Sequence, residues 1–157
     1  MATELASTIL TDILFIELNR RDVTGARSEN LKLWYKKYGL SAVVADVAII
    51  WLVFYGTKTF TKYKGIRLLL AILAVQIVHD LVFYAIFSSI PRGTSKIMDF
   101  FKDYADELGV KAIVGDSFMM ITAFVLNMIF AHFIKKTETK LMLLGFSIYL
   151  VPYFLHG

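Results

Sequence analysis

Residues 66–90 read IRLLLAILAVQIVHDLVFYAIFSSI. The carboxylate at Asp80 is the only acidic charge in the run, and Arg67 stands at its edge. As an α-helix this stretch reaches about 37 Å at 1.5 Å per residue, more than the roughly 30 Å of hydrocarbon in a bilayer. In lipid the backbone must satisfy its own hydrogen bonds, so a run this long and apolar reads as a helical membrane span. Pro91-Arg92-Gly93 ends it, because proline cannot continue the ladder and glycine permits the turn.

Three further spans lie on either side. Upstream, residues 39–55 carry one charge, Asp46. They follow LKLWYKKY at 31–38, where Trp34, Tyr35 and Tyr38 stand beside Lys32, Lys36 and Lys37. Aromatic rings next to lysines are favoured at the headgroup boundary. Downstream, residues 112–134 hold Asp116, Asn127 and His132, and Lys135-Lys136 closes them. Residues 141–155 form a shorter run with Pro152 near its end, which leaves a full crossing open. Basic residues flank both sides almost evenly, so the positive-inside rule selects no orientation.

Two segments read as amphipathic rather than spanning. Residues 4–20 place Leu5, Ile9, Ile13 and Ile16 at helical spacing, interrupted by Glu4, Asp12 and Glu17. Residues 94–109 place Ile97, Phe100, Phe101, Tyr104 and Leu108 near one face, with Lys96, Asp99, Lys102, Asp103 and Asp106 near the other. Thr94 or Ser95 can cap this second helix and Gly109 can end it. It is expected to lie on the membrane surface or against a partner. Residues 21–30, with Gly25, read as a linker. The fold expected is an all-α integral membrane protein. It is a bundle of about four transmembrane helices with two amphipathic surface helices, at about 5–18 and 95–108. Residues 1–38 form an N-terminal amphipathic and juxtamembrane region, and 39–157 form the bundle, with the amphipathic connector at 94–109. No internal repeat or second domain stands out.

Composition supports this class. Of 157 residues, 57% are hydrophobic, and the mean hydropathy is +0.62. The 19% that are charged cluster between the apolar runs. There is no cysteine, which excludes disulfides, thiolate nucleophiles and cysteine-ligated metals. The net charge of +4 fits basic flanks near lipid headgroups. Nucleic acid is not an expected partner, since no basic stripe is interleaved with exposed aromatics. Residues 1–18 lack the basic start of a signal peptide, Ala2 stands where myristoylation needs glycine, and no prenylation box ends the chain. No HExxH, GxSxG, P-loop or dinucleotide turn occurs, so the chain does not read as an enzyme.

The informative residues are polar ones inside the spans, because a charge at mid-bilayer costs about 2.5–3.5 kcal/mol on insertion scales. Gln76, His79 and Asp80 stand at i, i+3 and i+4, on one helix face. Asp116 and Asn127 lie close to three turns apart and share another face. Counted from the N-terminal side, Asp116, Asp46 and Asp80 fall at about 6, 10 and 15 Å of depth. Three acids at graded depths on three helices can line one polar interior. The cluster Asp46, Gln76, His79, Asp80, Asp116 and Asn127 reads either as a proton or cation path or as hydrogen-bonded glue between helices. His79 and His132 differ too much in height to share a haem, and a metal on His79 and Asp80 lacks further ligands, so no metal or other cofactor is expected.

Two stretches carry a resemblance. One is His79-Asp80-Leu81-Val82-Phe83-Tyr84. The other is MDFFKDYA at 98–105, followed by Asp116. Together they resemble small polytopic proteins of nucleocytoplasmic large DNA viruses, which carry a lipid membrane under an icosahedral capsid. The similarity covers about residues 40–134. It implies a multi-pass component of the virion inner membrane, a minor capsid protein tying bilayer to shell, with capsid or other membrane proteins as partners. The leading expectation is therefore a non-enzymatic structural membrane protein that docks through residues 1–37 and the helix bearing Ile97, Phe100, Phe101, Tyr104 and Leu108. The alternatives are a proton or cation channel or transporter using the intramembrane acids, and an accessory subunit of a larger membrane complex.

Overall fold

The computed structural model describes residues 1–21 and 28–156. The linker expected at 21–30 falls largely outside them. The described residues form seven α-helices: α1 (Ala2–Arg20), α2 (Glu29–Tyr38), α3 (Leu40–Phe60), α4 (Gly65–Ser89), α5 (Lys96–Leu108), α6 (Val110–Phe133) and α7 (Thr137–His156). Four of them, α3, α4, α6 and α7, are long and apolar enough to cross a membrane. The protein is thus an all-α, multi-pass membrane bundle, as the hydropathy pattern requires. Many large apolar side chains of α4 point outward, including Leu70, Val78, Val82 and Ile86, each more than half exposed. In a bilayer they meet acyl chains rather than water.

The span boundaries shift in two places. α3 continues to Phe60, five residues past the expected end, because Lys58 is held in the helix by an ion pair with Glu4. Thr61 then closes it, its backbone N–H and hydroxyl both donating to the Thr57 carbonyl. α7 begins at Thr137 and runs for 20 residues, with Pro152 inside it, so the fourth span is longer than its apolar stretch alone suggests.

The larger difference concerns α1. It does not lie on the surface. It packs against α3, α6 and α7, with Ile9, Ile13 and Ile16 meeting Val43 and Val47 of α3 and Val151 of α7. Its polar positions are buried as well: Thr11 and Asp12 are fully buried, and Ser7 and Thr8 nearly so. Ser7 and Thr8 donate to carbonyls of their own helix, Glu4 at 2.7 Å and Leu5 at 2.8 Å, so they need no water. Small hydroxyl residues let membrane helices approach closely, and that is how Ala6, Ser7, Thr8 and Thr11 are used. The two ends fix its direction. Glu4 meets Lys58 at the far end of α3, and Arg20 donates to the Phe154 carbonyl at the far end of α7. α1 therefore runs the height of the bundle, antiparallel to α3 and parallel to α7.

A second core joins α3, α4 and α6 through Ile50, Phe54, Ile72, Met120 and Phe124. The third joins the two short helices to the bundle end: Trp34 of α2 stacks on Phe100 of α5 with ring centroids 5.4 Å apart. α5 thus lies across the end of the bundle. Its turn from α4 is tied down by Arg92, which donates to Asp103 at 2.7 Å and Asp106 at 3.2 Å. α2 starts under a cap supplied by α5: Glu107 accepts from the backbone N–H of Glu29 at 2.8 Å and of Asn30 at 3.1 Å. An acid at a helix N-terminus satisfies orphan donors and opposes the helix dipole.

The placement of α1 makes a direct prediction. The chain has no cysteine, so single introduced cysteines report their own accessibility. Ala2→Cys is expected to react with an impermeant maleimide from the same side of sealed vesicles as Tyr63→Cys, and from the side opposite Lys96→Cys. Reaction of Ala2→Cys together with Lys96→Cys would place α1 outside the bundle.

Candidate functional site

The bundle repeats one local design. α2 is joined to α3 through Gly39, and α5 is joined to α6 through Gly109. Both glycines adopt a left-handed φ, 50° and 52°, with ψ of −125° and −129°. Side chains with a Cβ rarely adopt this conformation. The hydrogen bonds correspond as well. Gly39 N–H donates to Tyr35 O at 2.9 Å and Gly109 N–H to Ala105 O at 2.8 Å. The sequences then run GLSAVVAD at 39–46 and GVKAIVGD at 109–116, with Gly, Ala, Val and Asp in the same places. An aromatic ring, Trp34 or Tyr104, stands five residues before each glycine, and an aspartate, Asp46 or Asp116, seven residues after it. Phe54 and Phe124 continue the correspondence and pack on each other, with centroids 5.9 Å apart. Two interfacial-helix–glycine–span units are therefore placed side by side, each followed by a returning span, α4 or α7. The expectation of no repeat is corrected. Its signal was available as a glycine–aspartate spacing, but hydropathy alone blurs it because every span is apolar.

Between the two units lies a cavity of about 630 Å³. Its walls come from α2, α3, α4, α5 and α6, and Asp46, His79, Asp80 and Asp116 all face it. Asp46 and Asp116 lie at one depth, six residues into α3 and α6, and Asp80 lies deeper. Asp80 stands nine residues before the end of α4 at Ser89, and Asp116 six residues after the start of α6 at Val110. The antiparallel pairing brings their carboxyls within reach of each other.

Each acid has its own setting. On α4, Gln76 donates to Asp80, and His79 Nδ1 lies 3.1 Å from the other Asp80 oxygen. Gln76 is 1% exposed, and its carbonyl accepts from the Ser117 hydroxyl of α6 at 3.0 Å, which locks α4 to α6 beside the acids. On α3, Asp46 accepts from Trp34 Nε1 at 3.0 Å. The Tyr35 hydroxyl lies 3.0 Å from the same Asp46 oxygen and 2.9 Å from Asp12 of α1. Burial holds the Tyr35 phenol well above its ordinary value of 10.0, and the neighbouring Asp46 and Asp12 raise it further. Tyr104 of α5 is raised in the same way, first by burial and then by Asp116, Asp46 and Asp80. Both phenols stay protonated at any physiological pH, and Tyr35 acts as a donor.

Asp46, Gln76, His79, Asp80 and Asp116 are thus brought together, and Tyr35, Tyr104 and Trp34 join them. Asp12 reaches the site through Tyr35; it was not singled out by sequence because it lies on a helix read as peripheral. Asn127 does not join. It lies about three turns beyond Asp116, and its buried Oδ1 has no partner among the described residues. Among those residues no three His, Asp or Glu side chains are disposed to hold a metal ion. The aromatic face expected to dock is turned inward. Phe100 is 7% exposed, and Phe101 meets Phe83 at 4.9 Å and Trp34 at 5.2 Å between centroids. Ile97 keeps 37% exposure, and the charged side of α5 faces out.

The class defined by this architecture is a multi-pass helical membrane protein with an acid-lined internal cavity. The chain matches no family model, no curated protein and no solved structure.

Tyr35→Phe removes the one hydroxyl proton that Asp12 and Asp46 share, while Asp46 keeps its bond from Trp34. It is expected to lower stability by about 1–3 kcal/mol, measured as an earlier unfolding midpoint in mixed micelles. Tyr38→Phe removes a buried hydroxyl that has no hydrogen-bond partner among the described residues, and is expected to leave the midpoint unchanged or raise it.

Proposed function

We propose that the protein handles cations in the membrane, with protons as the simplest cargo, and that Asp46, Asp80 and Asp116 are the groups that carry them. One observation carries this reading. Equivalent aspartates of two repeated units meet a third acid at a shared cavity that has no lysine or arginine among its described lining residues. Transporters built from internal repeats place their binding sites at the repeat interface, near the bilayer midplane. Acids without a cationic partner in that position accept a proton or a cation readily, because burial disfavours the bare carboxylate. His79 lies in contact with Asp80, with a side chain 36% exposed. Tyr104 lines the same cavity.

The structural reading keeps one specific support. The stretches at 79–84 and 98–105 resemble virion membrane proteins of large DNA viruses, and the outward side of α5 presents Asp103 and Asp106 at the bundle end. A tie between bilayer and shell would use that charged side, since the aromatic side is occupied. It predicts the chain in purified virus particles and its loss from them when Asp103 and Asp106 are both changed to Lys.

The cation reading is tested in liposomes holding a pH-sensitive dye. Wild type is expected to pass protons down an imposed gradient. Asp80→Asn and Asp116→Asn are expected to slow the flux by about tenfold or more, a barrier increase of about 1.4 kcal/mol. Asn127→Ala, outside the cavity, is expected to conduct as wild type. Correctly folded wild-type protein with no flux would sink this reading.

A further inference from the structure

We infer that the cavity between the two units binds an amphiphilic organic cation, an ammonium head on a hydrocarbon or aromatic body, taken up sideways from the bilayer. The inference rests on the cation-handling reading of the same acids and names the kind of cation.

Size comes first. About 630 Å³ is the volume of a small-molecule pocket, commonly about 300–1,000 Å³. A proton or a bare inorganic ion needs far less, since a water molecule occupies only about 30 Å³. Wall chemistry comes second. An inorganic cation is held by a closed shell of oxygens. Here the carboxyls, with Gln76 and His79 beside them, lie in a cavity walled mainly by aromatic and aliphatic side chains, with Trp34, Phe83, Phe101 and Tyr104 among them. Aromatic faces attract an ammonium group, and the attraction strengthens when water is excluded. A neutral lipid tail would offer the carboxyls no counter-charge, and an anionic amphiphile would be repelled by them. An ammonium on an apolar body satisfies both parts of the wall.

The mouth comes third. Leu81 and Tyr84 of α4 and Val110 of α6 line the cavity, yet are 54%, 55% and 74% exposed. Both helices are apolar enough to span, so this rim meets lipid rather than bulk water. Val110 opens α6 immediately after the interfacial helix α5, which puts the mouth close to headgroup level, where amphiphiles reside. A ligand can enter head first toward Asp80 and Asp116 while its tail remains among Phe83, Phe101 and Met98.

The protein supplies its own reporter. Trp34 lines this cavity, whereas Trp51, the second tryptophan, borders the apolar groove between α1, α3 and α7. Trp51→Phe therefore leaves one fluorophore, at the site. It also removes a buried indole N–H that has no hydrogen-bond partner among the described residues. The probe is ω-bromododecyl-trimethylammonium, whose bromine quenches tryptophan, and its control is ω-bromododecanol; both are added to the Trp51→Phe protein in phosphatidylcholine nanodiscs. The ammonium is expected to quench saturably, at a half-point about tenfold lower than the alcohol, and Asp116→Asn is expected to raise that half-point about tenfold. Equal quenching by the two probes on folded protein would overturn the inference without recourse to any acid variant, and so would an unchanged half-point in folded Asp116→Asn protein. The measurement needs no gradient, so it separates from the flux assay. Selective binding without proton flux keeps the ligand site and removes conduction, whereas flux with no selective binding removes the ligand site.

Discussion

One phenol governs how the N-terminal third of the protein is arranged. Tyr35 has a single proton to give and two carboxyls to serve, Asp12 at 2.9 Å and Asp46 at 3.0 Å. A buried carboxyl without partners is costly in any apolar setting, so the three side chains must stay together. Because they belong to α1, α2 and α3, the requirement sets the depth of α1, the lie of α2 on the bundle end and the rotation of α3 toward the cavity. Trp34 adds a second donor to Asp46 from the next position on α2, so the orientation of that short helix is fixed by two hydrogen bonds. The aromatic nest of Trp34, Phe100 and Phe101 then forms around an already positioned ring.

Much of this was legible in the chain. Length and hydropathy define the spans. The i, i+3, i+4 spacing of Gln76, His79 and Asp80 places them on one face, and that face does line the cavity with Asp46 and Asp116. What escaped was the role of residues whose polarity is satisfied locally. Ser7, Thr8 and Thr11 count as hydrophilic in any periodicity argument, yet Ser7 and Thr8 bond to their own helix and are buried in the bundle. The acids Glu4, Asp12 and Glu17 point α1 to the surface, yet Glu4 pairs with Lys58 and Asp12 with Tyr35 inside the bundle. The aromatic face of α5 failed for the opposite reason. Its amphipathicity was read correctly, but the pattern gives no account of what covers the apolar side, which here is the protein's own α2 and α4.

The repeated unit shows a related limit. Between the two copies, Gly39 and Gly109 keep the left-handed turn, and Asp46 and Asp116 keep the inward acid. The residues around them change freely among apolar types because each copy needs only to fill space against its neighbour. Backbone conformation and the carboxyl are the parts that cannot be exchanged, and they are a small fraction of the letters. The returning helices have diverged further. α4 carries Gln76, His79 and Asp80, whereas α7 has Tyr149 and Tyr153, whose hydroxyls lie together on its exposed side.

That asymmetry extends across the bundle. On the side away from the cavity, α1 packs against α3, α6 and α7 and joins α7 to the rest of the bundle. The α1 isoleucines meet Val43, Val47 and Val151, and Asp12 reaches across to Tyr35. The N-terminal helix thus makes the two sides of the bundle chemically unlike: a cavity that three aspartates face on one side, and a mainly apolar groove between α1, α3 and α7 on the other.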